Sequence, residues 1–462
     1  MGSVTWFLIQ FQRNWLSMDS PFSRFGWLAF GLCFAAGLTW SLIFHEPLLG
    51  PPGSMGDDVY FENIGWQLSK GRGISFDFTD KEWRLPFEEE NFKGDNDWIL
   101  NLRAAGPTTS RSPGLPLLIA AVYSIFGRDF LVVRLVVLTM MAAGCGWLVQ
   151  RVARQFGWLA AGLGLATLLF DGFVWRTAGQ FMSEGPALGI TVALCGWVWL
   201  LSSREEQKSW STRLGWLGAG LLFAVGILVR ANMNVWLLMI VIGLAILLGL
   251  RVVLRRDWQT LFVAALLFGI GVAVIAVPWW VRNCQVTGGF APSGTSGSFG
   301  LVGGYCDAAF EDFGNWNIEA SVESQERTLA RPGVRGLPLA QQEYQMGLES
   351  TAAAEEWARA NWRKLPQLVG MKMLSHLGFY RQPLWLQIFN GLILFGAVLG
   401  CWSTRRSLGF WIGLVVVLSL VTTGLTWPHY GRYSIPFRPL LHLACGIGTV
   451  YFWTGLLGWL RR

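Results

Sequence analysis

Trp27-Leu28-Ala29-Phe30-Gly31-Leu32-Cys33-Phe34-Ala35-Ala36-Gly37-Leu38-Thr39-Trp40-Ser41-Leu42-Ile43-Phe44 runs without one charged side chain. A helix rises about 1.5 Å per residue, so a run of this length nearly crosses a hydrocarbon core roughly 30 Å thick. Arg13 and Arg24 precede it and His45-Glu46-Pro47 follows, with no small-residue cleavage site. It reads as an uncleaved signal anchor, not a removed signal peptide.

The composition extends that reading to the whole chain. Of 462 residues, 53% are hydrophobic and 14% charged, and 27 are Trp. A soluble domain carries about 25% charged residues. A soluble chain with so little charge would expose large apolar patches. An ordinary cytosolic enzyme, a disordered protein and a disulfide-rich secreted module are excluded. The expectation is an all-α polytopic membrane protein. Further spans are expected at 130–149, 158–173, 185–201, 214–229, 235–250, 261–281, 384–401, 408–425 and 440–460, about ten in all. An eleventh apolar segment, Gly114–Phe126, opens Gly-Leu-Pro after Pro113 and is short, so it reads as re-entrant or interfacial.

The arginines fix the orientation. With the N-terminus inside, the inside ends carry Arg13 and Arg24; Arg151 and Arg154; Arg204, Lys208 and Arg213; Arg251, Arg255 and Arg256; Arg405 and Arg406; and Arg461 with Arg462. Every inside connection has a basic cluster, as the positive-inside rule requires. Counting Gly114–Phe126 as a full span would break that agreement. The formal net charge of +7 is therefore a topology signal, and no nucleic-acid partner is expected.

The chain then divides into a cytoplasmic N-terminus (1–26), a first span (27–45), a first outer loop (46–129), a six-span region (130–282), a second outer loop (283–383) and three C-terminal spans (384–462). Both long loops are expected to bear amphipathic helices, the second with helix-forming sequence near 350–374. Residues 46–112 hold twelve acidic and seven basic side chains. No internal repeat is evident, which weakens transporter readings built on repeated halves.

Within the first outer loop stands Gly56-Asp57-Asp58-Val59-Tyr60-Phe61-Glu62-Asn63-Ile64-Gly65-Trp66-Gln67-Leu68. Apolar residues at 60, 61, 64 and 68 repeat with helical spacing, so an amphipathic helix lying on the membrane surface is expected. An aspartate at its start suits an N-cap. The alternative role is a general base held where it reaches a lipid-borne substrate.

Asp57-Asp58-Val59-Tyr60-Phe61 resembles the Asp-Glu/Asp-x-Tyr-Tyr motif of GT-C class membrane glycosyltransferases, in particular the dolichyl-phosphate-mannose protein mannosyltransferases and the bacterial aminoarabinose and RgtA-like transferases. Asp58 replaces the commoner Glu. Arg111-Ser112-Pro113-Gly114-Leu115-Pro116 resembles the family's Arg-x-Pro-Gly-Tyr-Pro stretch. Ser183-Glu184 resembles its Ser/Thr-Glu pair, Pro278-Trp279-Trp280-Val281-Arg282-Asn283 its Pro-Trp-x-x-Arg-Asn, and Arg432-Tyr433-x-x-Pro436 its late Arg-Tyr-x-x-Pro. Each motif alone is weak; their order and membrane side carry the resemblance.

The resemblance implies a sugar donor on a polyprenyl phosphate, an attacking acceptor hydroxyl and a leaving lipid phosphate. The acceptor is a lipid, glycan or protein. A hydroxyl is a poor nucleophile, so a carboxylate must take its proton. Asp57 aligns with the first acid of the motif and is the expected base, with Asp58 the alternate. The leaving phosphate needs cations, and the planar fork of Arg suits it. Arg230, Arg432 and Arg282 are the candidates, with Tyr433 beside Arg432. Arg230 serves equally as a snorkelling cation, and Trp279 and Trp280 mark Arg282 as an aromatic-belt anchor. Glu184 and Asp171 are candidate acceptor-side acids, against the plain reading of a solvated interfacial acid; Arg176 has weaker support. His429, preceding Tyr430 and Arg432, and Arg111 are further candidates, though a lone His is more often structural. Arg134 lies inside a span and either snorkels or pairs within the bundle.

Cys33, Cys145, Cys195, Cys401 and Cys445 fall in spans as small apolar residues. Cys284 and Cys306 share the second outer loop and form a disulfide there only if that side is oxidising. Glu88-Glu89-Glu90 reads as a solvated face. No metal-ligand spacing appears and no cofactor is specified, with a divalent metal left open. No Walker A or dinucleotide fingerprint is present, in keeping with a lipid-linked donor. Competing readings are a transporter or flippase of lipid-linked sugars and a polysaccharide polymerase or ligase. The expected location is a bacterial inner membrane, with both termini cytoplasmic and the site periplasmic.

Overall fold

The computed structural model describes residues 24–44, 48–53, 56–89, 97–203, 209–253, 258–429 and 431–460. Of the residues singled out above, Arg13, His45, Glu46, Pro47, Glu90, Arg204, Lys208, Arg255, Arg256, Tyr430, Arg461 and Arg462 lie outside them. Helices dominate. The first is α1 (Arg24–Phe44), followed in the first loop by α2 (Asp57–Ser69), α3 (Lys81–Glu89) and α4 (Gly114–Phe126). Then come α5 (Phe130–Phe156), α6 (Trp158–Leu169), α7 (Glu184–Ser202), α8 (Trp210–Val229), α9 (Met233–Val253) and α10 (Gln259–Thr287). The second loop holds α11 (Ile318–Leu329), α12 (Leu339–Ala360) and α13 (Leu365–His376), and α14 (Leu384–Ser403), α15 (Leu408–Leu425) and α16 (Arg438–Leu460) complete the chain. Among the described residues the strands are β1 (Ser75–Asp77) and β2 (Ala105–Pro107), paired antiparallel with Phe76 opposite Gly106.

Nine helices among the described residues are long and apolar enough to cross a membrane. A tenth span counts if α6 and the turn Gly172–Gly179, bent by 62° from it, are one. The break falls at Asp171, whose carboxylate accepts the Phe173 N–H at 3.1 Å and so starts the new helical turn. Elsewhere the ends follow ordinary chemistry. Asp129 caps α5 through the Val132 N–H at 3.0 Å, and Gly157 ends it at φ 92°.

Helix pairs in lipid gain nothing from hiding apolar surface, so they rely on close packing. A Cβ on Gly400 would overlap the Ala444 carbonyl of α16, and one on Gly448 would overlap the Gly396 carbonyl of α14. Gly220 and Gly271 make the same approach between α8 and α10.

The first loop departs from its expectation. α2 does not lie on a surface: it is buried on nearly every side, including Asp58, Glu62, Asn63 and Gln67. Glu62 accepts from Tyr123 and Arg128, both at 2.9 Å, and from the Trp83 indole. Asn63 exchanges two hydrogen bonds with the Asp77 backbone, at 2.9 and 3.1 Å. Buried polar groups with partners carry little penalty, so a helix with polar residues all round is stable inside the loop. α4 lies across it, with Ile119 filling the space left by Gly65. Gly56 occupies the N-cap, so neither aspartate caps α2.

Three other readings are resolved. Arg134 is buried and donates to the carbonyls of Gly179 at 2.9 Å and Gly50 at 2.8 Å, pairing rather than snorkelling. The helix-forming stretch near 350–374 is split between α12 and α13. Cys284 and Cys306 are free thiols, and Cys306 instead caps the short helix Asp307–Glu311 through the Ala309 N–H at 3.4 Å.

The α14–α16 contact gives a test. Gly400→Val is expected to lower the melting temperature in detergent by several degrees, since overpacking costs about 1–3 kcal/mol. Gly413→Val, where no atom lies within 4 Å of an added Cβ, is expected to leave it unchanged.

Candidate functional site

Helix ends bring the candidate residues together. Asp57 and Asp58 occupy the first turn of α2, and Arg111 stands three residues before α4. Glu184 opens α7, Arg230 follows the last residue of α8, and Arg432 opens the 3-10 turn Arg432–Phe437 leading into α16. Chain direction puts the basic ends of α5, α9 and α14, with Arg154, Arg251 and Arg405, on the opposite side of the bundle.

Asp57 is held between two guanidiniums. Arg111 Nη2 meets Oδ1 at 2.8 Å and Arg432 Nη2 meets Oδ2 at 2.8 Å. Its side chain keeps 32% exposure. Burial alone would raise its carboxyl, but Arg111 and Arg432 outweigh that and hold it well below the usual carboxylate range. Glu184 is fully buried and pairs through Oε1 with Arg432 Nε and, at 3.0 Å, with Arg230 Nη1. Its Oε2 is buried with no hydrogen-bond partner. The result is an unbroken series: Arg111, Asp57, Arg432, Glu184, Arg230. Arg111 stacks over Tyr60 with 4.8 Å to the ring centre, and Arg230 over Tyr433 at 4.9 Å.

Asp58, one position on, points elsewhere. Its Oδ2 accepts the Phe181 N–H at 3.0 Å, and its Oδ1 is buried without a hydrogen-bond partner. Burial pushes its carboxyl up to about 7, with Asp57 and Glu184 adding to the rise against Arg432 and the Phe181 bond. His429 packs edge-on to Trp316, 6.1 Å between centres, and burial followed by Arg432 keeps its imidazole below its usual range.

Two expected residues are not in the series. The Asp171 carboxylate accepts from Arg438 at 2.6 Å and His442 at 2.8 Å, inside the bundle. Arg282 donates to the carbonyls of Thr108 at 2.7 Å and Ile74 at 2.8 Å, and lies over Trp279. It fastens the first loop to α10. The Phe181 amide and the ring of Tyr60 were given no role by the sequence reading. Tyr60 stood in the motif, while a backbone donor leaves no sequence signal. Among the described residues, no group of three His, Cys, Asp or Glu side chains is placed to hold a metal ion.

Residues 110–280 match the sequence profile of the family described as dolichyl-phosphate-mannose-protein mannosyltransferase. No curated protein matches the chain. Among solved structures, the archaeal oligosaccharyltransferase AglB from Archaeoglobus fulgidus, in complex with an inhibitory peptide and a dolichol-phosphate, is similar at TM-score 0.50 and 12% identity. That likeness covers 94% of this chain and 52% of AglB. ArnT from Cupriavidus metallidurans bound to undecaprenyl phosphate is similar at TM-score 0.38 and 16% identity, over 92% of this chain and 78% of that one. The family profile thus covers the central third of the chain, and the likeness to AglB, which is one of fold, runs over nearly its full length.

Asp58 offers a test with a defined sign. Its folded carboxyl titrates near 7, above the roughly 3.9 of an unfolded Asp. Between those values the folded state binds more protons, so this group's contribution to stability falls as pH rises. Asp58→Asn removes that slope. The melting temperature of the variant relative to wild type is expected to climb from pH 4 to pH 7 and then level, a change on the order of 4 kcal/mol across the window.

Proposed function

We propose that the protein is an inverting glycosyltransferase that moves a sugar from a polyprenyl-phosphate donor to an acceptor hydroxyl on the extracytoplasmic side. The observation that carries this is the charge series at the helix ends. It sets three guanidiniums against two carboxylates, Asp57 and Glu184. With Asp58 protonated, the series has one positive charge in excess, matching the single charge of a sugar phosphodiester. AglB, similar in fold, was solved with a dolichol-phosphate, a lipid phosphate of the kind such a donor would release.

The step follows from these residues. The acceptor oxygen attacks the anomeric carbon from the face opposite the phosphate, and its proton passes to Asp57. The bond from the anomeric carbon to the phosphate oxygen breaks, and the lipid phosphate leaves with the electron pair. One displacement inverts the anomeric centre. Arg432 and Arg230 bind the phosphate and stabilise the charge that grows on it. Tyr433, with its ring centre 4.9 Å from Arg230, braces that guanidinium. An Asp clamped by two guanidiniums is a weak base. When Arg432 turns to the phosphate, Asp57 loses one of them and its basicity rises, so donor binding prepares the base. Glu184 orients Arg230 and Arg432. His429 borders the site and is not needed for proton transfer. Basic residues at the opposite helix ends support a cytoplasmic location for those ends in a bacterial inner membrane.

Transfer from polyprenyl-phosphate sugars by the purified protein is the test. Asp57→Asn is expected to lower kcat by about 10²–10⁴-fold. Arg432→Lys, which loses the planar fork, is expected to raise the donor KM and lower kcat together. Full activity in Asp57→Asn sinks the base assignment.

A further inference from the structure

Arg111 reaches Asp57 from the end of a short strip of chain, Thr108-Thr109-Ser110, that lies outside any helix. All three residues are buried. The Thr108 N–H goes to the Ile74 carbonyl of the first loop and Thr108 and Ser110 bond each other, while the Thr108 and Thr109 hydroxyls, the Thr109 amide and their two carbonyls are bound from the second loop and the end of α10. Glu343 of α12 accepts the Thr109 N–H at 2.9 Å on Oε2, and the Thr108 hydroxyl on Oε1. Oε2 also accepts the Thr295 hydroxyl at 3.2 Å. The Thr295 N–H donates to the Thr109 carbonyl at 3.1 Å. Gly294, at φ 78°, lets the chains meet there, since a Cβ would overlap the Thr109 carbonyl. Arg282 holds the Thr108 carbonyl from the other side at 2.7 Å.

Glu343 is 4% exposed and its carboxylate bonds are to hydroxyl and amide donors. A buried carboxylate held this way is costly to disturb, because removing its oxygens strands several donors. Its bonds end two residues before Arg111, whose own Nη1 returns to the Ser110 carbonyl at 2.9 Å. The strip is therefore the base on which the Arg111 side chain stands.

We propose that Glu343 is a positioning residue for the transfer reaction. By clamping Thr108 and Thr109 it sets Arg111 across Asp57, and so makes order in the second loop a condition for the site's assembly. This rests on the reading of Arg111 and Asp57 given above. A displacement of about 1 Å in a positioned group costs on the order of 10²-fold in rate. The clamp sits one strip away, so a smaller loss is expected.

A double-mutant cycle tests it. Glu343→Gln is expected to lower donor-to-acceptor transfer about tenfold in the wild-type background, and less than about twofold in Arg111→Ala, because both changes remove one interaction. A merely structural role predicts equal losses in both backgrounds, and that outcome overturns the proposal. Hydrogen exchange on the intact protein gives a readout independent of turnover. The Thr109 amide is expected to exchange at least about tenfold faster in Glu343→Gln, with α14 and α16 unchanged. Unaltered protection at Thr109 overturns the proposal as well. Should wild type transfer no sugar, the functional reading falls and the exchange result alone decides the clamp. Glu343→Asp, one methylene shorter, carries the same expectations and serves if Glu343→Gln does not fold.

Discussion

Arg432 binds two acids that lie far apart in the chain, and the rest of the site depends on that. Its Nη2 meets Asp57 in the first loop and its Nε meets Glu184 at the head of α7, 375 and 248 residues away in sequence. Withdrawing a charge from water costs several kcal/mol per ion unless partners are supplied. Each acid here has two guanidiniums, with Arg432 shared. Asp57 gains its second guanidinium by docking on the bundle, and Glu184, fully buried, gains its second from the turn at 432–437. Arg432 thereby ties the first loop to the bundle through charge.

The same logic runs through the irregular segments. Backbone outside helices has carbonyls that lipid cannot satisfy. Arginines take up that duty repeatedly. Arg134 serves Gly179 and Gly50, Arg282 serves Thr108 and Ile74, Arg84 serves Leu100, and Arg128 serves Trp83. The guanidinium has five donors in a fixed fork and can close two carbonyls at once. Some of these cations hold backbone alone, and others, such as Arg128 and Arg111, hold a carboxylate and a carbonyl at once. Arg282 holds peptide carbonyls of the first loop, a role its aromatic neighbours gave no sign of.

The number of spans and the all-helical class were legible because apolar length and charge sidedness are one-dimensional signals. Gly114–Phe126 is a helix of thirteen residues with the bounds its apolar run suggested. What α2 packs against was not legible. Its apolar spacing suggested a surface helix, while its polar residues find Trp83, Tyr123, Arg128 and Asp77 through contacts 14 to 66 residues distant. Sequence spacing cannot report partners that tertiary folding supplies. Of the site residues, Asp57, Arg111, Glu184, Arg230 and Arg432 converge, while Arg282, also at a motif position, does not. Asp171 shares the α6–α7 connection with Glu184 yet turns into the bundle, because Arg438 and His442 stand one helical turn apart on α16 and both face it. Glu343 carried no signal at all, being one acid among many on a polar helix.

Asp57 and Asp58 show why a motif of two adjacent acids is not two copies of one group. Successive residues on a helix point about 100° apart. Asp57 therefore faces Arg111 and Arg432 at the open edge of α2, while Asp58 turns inward to the Phe181 amide. One environment favours the charged form and the other disfavours it. Had both faced the arginines, two carboxylates plus Glu184 would have cancelled all three guanidiniums and left no attraction for an anion. Turned inward, where burial favours its neutral form, Asp58 stays out of the series and leaves the cationic excess intact. It also fixes the Phe181 backbone just ahead of Glu184, so the second acid of the pair acts on the charge series through the chain segment that delivers its other carboxylate.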